Sequence, residues 1–140
     1  MTNILPLGVR YALGCDKNVI FVSTCSNYGI TKDQELVNEE HELKPLSPYA
    51  KAKVKIEKYL LNKKSQFYSP TVLRFATAFG YSPRMRFDLT INHFCYSMFK
   101  DKEIEVYDPN TWRPYCHVKD FSRLIIKILT SERDKVDKKV

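Results

Sequence analysis

Tyr49 and Lys53 stand four residues apart in Ser47-Pro48-Tyr49-Ala50-Lys51-Ala52-Lys53. That spacing puts both side chains on one face of a helix, where they can reach the same small volume. A phenol with a pKa of about 10 is a poor base at neutral pH, and a neighbouring ammonium favours its ionised form. Lowering a phenol's pKa by about three units takes roughly 4 kcal/mol of differential stabilisation, which needs a shielded, preorganised site. The pair alone is a common pattern, and its plain alternative is a helix-start tyrosine beside a surface lysine. Thr24 supplies a third group. It ends an apolar run 25 residues before Tyr49, and strand ends of this kind feed ligand crevices in α/β sheets. A hydroxyl there can hydrogen-bond the oxygen that a tyrosinate deprotonates. His93, Cys95, Cys116 and His117 match no familiar zinc spacing, so no metal is expected.

These residues need elements to hold them. Asn18-Val19-Ile20-Phe21-Val22-Ser23-Thr24 reads as a buried strand, a short β-branched and aromatic run between polar residues. An acidic connection with Asp33, Glu35, Glu39, Glu40 and Glu42 reads as a solvated loop. Ser47 as N-cap and Pro48 at the first position open a helix that runs to about Asn62. Tyr49, Ala52, Lys53, Ile56 and Leu60 share one of its faces, while Val54, Tyr59 and Leu61 point elsewhere. A second buried strand is expected at 71–76, with Gly80 ending the turn after it. Helices are expected at 88–100 and 120–129, strands at 104–107 and 115–118, and a short helix at 5–15. Strands alternating with helices predict an α/β protein with a parallel sheet.

Composition narrows the class. The 140 residues hold 23 Lys+Arg against 16 Asp+Glu, a net charge of +7, with 44% apolar and 28% charged residues. That is globular rather than disordered stock. The length admits one domain or a piece of a larger one. No apolar run of about 18 residues offers a membrane span, and no secretory signal opens the chain. The basic residues are dispersed and form no stripe, which argues against nucleic acid as a partner. Cys15, Cys25, Cys95 and Cys116 form no dense framework, so reduced thiols and a cytoplasmic location are expected.

Four segments in order resemble one family. Val22-Ser23-Thr24-Cys25-Ser26-Asn27-Tyr28-Gly29 is similar to a hydroxyl-rich segment ending in Tyr-Gly, and Ser47 to Lys53 to an S-P-Y-x-x-x-K helix start. Leu73-Arg74-Phe75-Ala76-Thr77-Ala78-Phe79-Gly80 resembles a Leu-Arg strand. Trp112-Arg113-Pro114-Tyr115-Cys116-His117-Val118-Lys119-Asp120 resembles an R-x-Y-x-H-V-x-D segment. The set resembles the extended short-chain dehydrogenases/reductases, the NAD-dependent nucleotide-sugar epimerase/dehydratase family, across about residues 18–129.

The resemblance implies a partial Rossmann-type parallel sheet, its catalytic half, with the beginning of a substrate-binding domain. It implies tyrosinate-assisted hydride transfer at a sugar carbinol, with NAD or NADP as cofactor. Tyr49 takes the base's part, Lys53 that of the lysine on the cofactor ribose, and Thr24 that of the hydroxyl steadying the reacting oxygen. Phe75 and Ala76 border the nicotinamide, completing a cofactor set of Thr24, Tyr49, Lys53, Phe75 and Ala76. Thr77, Asn92 and Arg113 face the nucleotide-sugar, Arg113 toward its diphosphate, the alternatives being a structural ion pair for Arg113 and a plain helix-surface amide for Asn92. Dehydratases of the family carry Asp-Glu after the threonine. Cys25 and Ser26 stand there instead, which favours an epimerase or simple oxidoreductase. The family's helix after the tyrosine commonly forms a dimer interface, so the resemblance also implies a homodimer.

One departure is plain. The family's opening G-x-x-G-x-x-G loop cannot be made from Gly8, Gly14, Gly29 and Gly80. The chain therefore reads as a partial domain spanning 1–140, the middle of a roughly twice-longer enzyme, and tight NAD binding by it alone is not expected. The rival reading is a catalytically inactive remnant or interaction module of the same fold.

Overall fold

The computed structural model describes residues 17–31, 36–63 and 68–140. The short helix expected at 5–15 lies outside them, as do Asp33 and Glu35. Strand β1 is Lys17–Thr24, followed by a 3-10 helix at Cys25–Tyr28 and helix α1 at Pro48–Asn62. Then come β2 (Tyr68–Phe75), β3 (Thr77–Phe79), α2 (Thr90–Lys100), β4 (Tyr115–His117), α3 (Val118–Thr130) and the short α4 (Arg133–Val136). Strands β1 and β2 are neighbours in one sheet, and β3 and β4 pair in a second. The β3–β4 pair is parallel, with Thr77 opposite Tyr115 and Phe79 opposite His117. The α/β expectation holds, the described residues forming two short sheets.

Two compact units divide the chain. One takes residues up to Arg74 together with Lys127–Val140, and the other is Phe75–Ile126. In the first, α1 packs on β1 and on the 3-10 helix. Ser47 begins α1 as the sequence requires, its hydroxyl accepting from the Ala50 amide at 3.1 Å. Ala50, Val54, Leu60, Val72, Leu73, Ile128 and Val136 are the buried apolar residues. The last residues run along β2: the Val72 amide donates to the Lys139 carbonyl at 2.9 Å and the Thr71 hydroxyl to that of Val136 at 2.7 Å. Gly29 closes the 3-10 helix with φ +74°, and a Cβ there would lie 2.2 Å from the Lys44 carbonyl oxygen. Only glycine fits that turn.

In the second unit Phe75 stacks flat on Phe121 at 3.9 Å between centroids, and the Thr77 amide donates to the Pro114 carbonyl at 3.0 Å. Gly80, at φ +112°, passes His117 so closely that a Cβ would sit 2.4 Å from its Nε2. His117 Nδ1 accepts from the Lys119 amide at 3.1 Å, capping the start of α3 with a side chain instead of the usual hydroxyl. An open, largely apolar groove of about 430 Å³ lies beside Phe79, Tyr81, Met85, Phe87, Ile91 and Phe99.

Two expectations are corrected. Residues 104–107 form no strand; Ile104, Val106 and Tyr107 are exposed, and a β-branched run without a neighbouring strand has nothing to pair with. The inward stripe of α1 is Ala50, Val54, Glu57 and Leu60, one position out of phase with the expected face. Tyr49 and Ala52 face solvent, and Val54 belongs to the core. Among the described residues no helix is long and apolar enough to cross a membrane.

Candidate functional site

The carboxyl end of β1 and the first two turns of α1 bring the chemistry-bearing side chains of the first unit together. Lys53 Nζ donates to the Val22 carbonyl at 2.7 Å, two residues before Thr24. The same ammonium lies 5.6 Å from the centroid of the Tyr49 ring and 4.8 Å from that of Phe21. The two aromatic faces and the carbonyl hold it by cation–π attraction and a charge-assisted bond. An ammonium carries three donors, so this seat leaves others for a ligand hydroxyl. Tyr49 is 59% exposed. Thr24 is engaged locally: its hydroxyl accepts from the Ser26 amide at 3.2 Å and donates to Ser26 Oγ at 3.2 Å. Among the described residues no hydrogen bond joins Thr24 to Tyr49. The helix-face pairing expected of Tyr49 and Lys53 is thus present, with Lys53 also tied to the strand end.

Beneath this face lies a buried polar cluster that the residue patterns did not single out. Glu57 is 1% exposed, one helical turn beyond Lys53. Its carboxylate accepts from the Ser23 hydroxyl, from Asn27 Nδ2 at 2.7 Å, and from Arg74 Nε and Nη2 at 3.2 and 2.9 Å. Asn27 Nδ2 also donates to Ser23 Oγ at 3.0 Å. Arg74 Nη1 donates to the Tyr28 hydroxyl at 3.0 Å and the Glu39 carbonyl at 2.9 Å, with the Tyr28 ring 5.2 Å away. Burial works against the Arg74 charge, but its bonds to Glu57 and Tyr28 and the attraction of Glu57 outweigh burial and hold its pKa above the ordinary value. One signal for the cluster was in the sequence: an arginine set in the apolar run Val72-Leu73-Arg74-Phe75, which must find an acid if the strand is buried.

The remaining sequence-predicted residues fall in the second unit. Phe75, Ala76 and Thr77 are half-buried at the β2–β3 junction. Asn92 is buried on α2 and braces a loop: its Oδ1 accepts from the Gly80 amide at 3.0 Å and its Nδ2 donates to the Arg86 carbonyl at 3.1 Å. Both ends of that amide are therefore occupied by backbone. Arg113 is exposed. Among the described residues no group of three or more His, Cys, Asp or Glu side chains gathers to hold a metal.

Comparison with known proteins gives this arrangement a family. A family model described as the NAD dependent epimerase/dehydratase family matches residues 2–140. The chain belongs to that family. It is 33% identical over 112 residues to an uncharacterized UDP-glucose epimerase, YtcB, of Bacillus subtilis (strain 168), covering 79% of this chain and 34% of the relative. The UDP-glucuronic acid 4-epimerase of Bacillus cereus, solved with UDP-glucuronic acid and NAD, superposes with a TM-score of 0.73 at 26% identity. That match covers 88% of this chain and 38% of the epimerase. MoeE5, solved with the same two ligands, gives a TM-score of 0.70 at 28% identity, covering 86% of this chain and 40% of the other. This member of the epimerase/dehydratase family spans little more than a third of the length of the relatives it matches.

Proposed function

We propose that the chain carries the catalytic tyrosine–lysine–threonine part of a nucleotide-sugar epimerase or oxidoreductase site. The observation that supports this reading most directly is the seat of Lys53, tied to the end of β1 beside the exposed Tyr49. The donor set fits a nicotinamide dinucleotide, since the ammonium has donors beyond the one spent on Val22. Lys53 would hold the cofactor through those remaining donors. NAD, when bound, supplies an acceptor and donor of hydride. Tyr49 as its phenolate takes the proton of the sugar hydroxyl at the carbon being oxidised and returns it when the carbonyl is reduced. The Lys53 ammonium stands beside the Tyr49 ring, and Thr24 donates to the same oxygen after turning its hydroxyl away from Ser26. Thr77 and Arg113 contact the nucleotide-sugar, Arg113 through the diphosphate. Cys25 and Ser26 supply no carboxylate for water loss, which favours epimerisation or simple oxidation over dehydration.

The test is a chimera in which this chain replaces the matching segment of the B. cereus epimerase, flanked by that enzyme's own N- and C-terminal portions, incubated with NAD and UDP-glucose or UDP-glucuronic acid. Conversion is followed by proton NMR of the sugar anomeric signals. Tyr49→Phe lowers turnover at least 100-fold, on the order expected for loss of a general base. Equal turnover by Tyr49→Phe rejects the assignment.

A further inference from the structure

Tyr49, Lys53 and Glu57 recur every fourth residue along α1, the first two beside the strand end and the third sealed beneath it. A buried carboxylate is costly unless charge and hydrogen bonds compensate it, and apolar residues of similar volume often stabilise a core as well or better. Stability is therefore a weak reason for the cluster, and the placement of its donors suggests a stronger one. Ser23 lies between Val22, whose carbonyl seats Lys53, and Thr24. Asn27 stands in the 3-10 helix that Thr24 caps, and Arg74 is the penultimate residue of β2. One carboxylate thus joins the three segments that converge at the chemistry-bearing face. The buried apolar residues of α1 are Ala50, Val54 and Leu60, and apolar contacts change only gradually with small rotations of a helix. Four directed donors on one carboxylate do not.

We propose that Glu57 is a positioning residue: it fixes the rotational setting of α1 against the end of β1, so that Lys53 stays seated on the Val22 carbonyl beside Tyr49. Its role in catalysis rests on the functional reading above, whereas the setting of Lys53 can be measured without turnover. The experiment is trace acetylation of the chain with acetic anhydride, followed by peptide mass spectrometry of Lys51, Lys53 and Lys55. In the wild type, Lys53 labels at least threefold more slowly than the exposed Lys51 and Lys55, because its ammonium is hydrogen-bonded to the Val22 carbonyl and lies near two aromatic rings. Glu57→Gln raises Lys53 labelling at least threefold and leaves Lys51 and Lys55 unchanged. The double variant Glu57→Met with Arg74→Met, which keeps the buried volume without the polar fork, does the same.

Leu60→Ala loosens the same helix without touching the carboxylate and leaves Lys53 slow. Unprotected Lys53 in the wild type overturns the proposal, as does unchanged Lys53 labelling in the folded variants. An equal rise in Leu60→Ala reduces Glu57 to general packing and also overturns it. If neither Glu57 variant keeps the wild-type circular dichroism, the cluster serves folding itself and the positioning role falls. No cofactor or substrate enters this experiment, so an inactive chimera with slow Lys53 labelling rejects the functional reading and leaves Glu57's structural setting intact.

Discussion

Arg74→Met removes the guanidinium while keeping a long apolar stem along β2. The lost interactions are the two bonds to Glu57, the bonds to Tyr28 and the Glu39 carbonyl, and the contact with the Tyr28 ring. Glu57 is then a buried carboxylate with only the neutral donors of Ser23 and Asn27. Breaking a buried ion pair from one side costs about 3–5 kcal/mol, and the two surviving donors keep the figure near the lower end. With a urea slope of about 1–3 kcal/mol/M, a loss of about 3 kcal/mol moves the unfolding midpoint down by roughly 1–3 M. Adding Glu57→Met removes the stranded charge and leaves two buried groups, the Ser23 hydroxyl and the Asn27 amide, one partner short at about 1 kcal/mol each, while the less buried Tyr28 hydroxyl and Glu39 carbonyl can turn to water. The double variant should therefore be more stable than Arg74→Met alone, within about 2 kcal/mol of wild type. Urea titration by far-UV circular dichroism on the four proteins closes the cycle. Costs that add within about 0.5 kcal/mol would refute the reasoning, because independent sites add and a buried pair does not.

Four further outcomes follow from the same geometry. Gly80→Ala combines a φ of +112° with a Cβ 2.4 Å from His117 Nε2, and should cost about 2 kcal/mol or more, read as a lowered thermal midpoint. The Arg86 hydrogen bond holds the Asp88 carboxyl down at about 2; its contribution is present above the ordinary carboxylate pKa and is lost as pH falls through about 2. Arg86→Ala should return the Asp88 titration, followed by carboxyl carbon NMR, to the ordinary range. Calorimetry of the chain with NAD should give a Kd weaker than about 1 mM, in keeping with the glycine-poor sequence, and tight binding contradicts that expectation. Finally, a homodimer of the kind expected from the family resemblance would use the outer residues of α1, so Tyr59→Glu with Leu61→Glu should shift sedimentation toward monomer, whereas Val54 is withdrawn from that face by its burial.

The sequence was most legible where local signals and burial agree. The apolar runs of β1 and β2 appear within a few residues of their expected bounds, and Ser47-Pro48 marks the start of α1 because capping is a property of the backbone end itself. The strand expected at 104–107 failed because β-branched spacing cannot tell whether a partner strand is present. The 3-10 helix after Thr24 was missed for a related reason, since its cap depends on a hydroxyl two residues away rather than on periodicity. At the site, the i,i+4 rule placed Tyr49 beside Lys53, whereas the carbonyl that receives Lys53 comes from a strand 31 residues earlier.

The misphased face of α1 has the most instructive cause. Glu57 counts as polar in any hydrophobic pattern, so the stripe Ala50–Val54–Leu60 is broken at its centre and the eye moves to Ala52 and Ile56 instead. Only the arginine at the end of β2 makes a buried glutamate affordable, and that partner is 17 residues away. The same substitution of charge for hydrocarbon explains why the helix can carry exposed chemistry on Tyr49 and Lys53 without an extensive apolar anchor below them. Rotation of an α-helix by one residue is about 100°, enough to carry Lys53 off the Val22 carbonyl altogether. Dispersion contacts change gradually over such a turn, while directed bonds to one carboxylate are lost within a fraction of it. A helix that must present two side chains at a fixed angle is therefore held better by a buried fork than by a larger core.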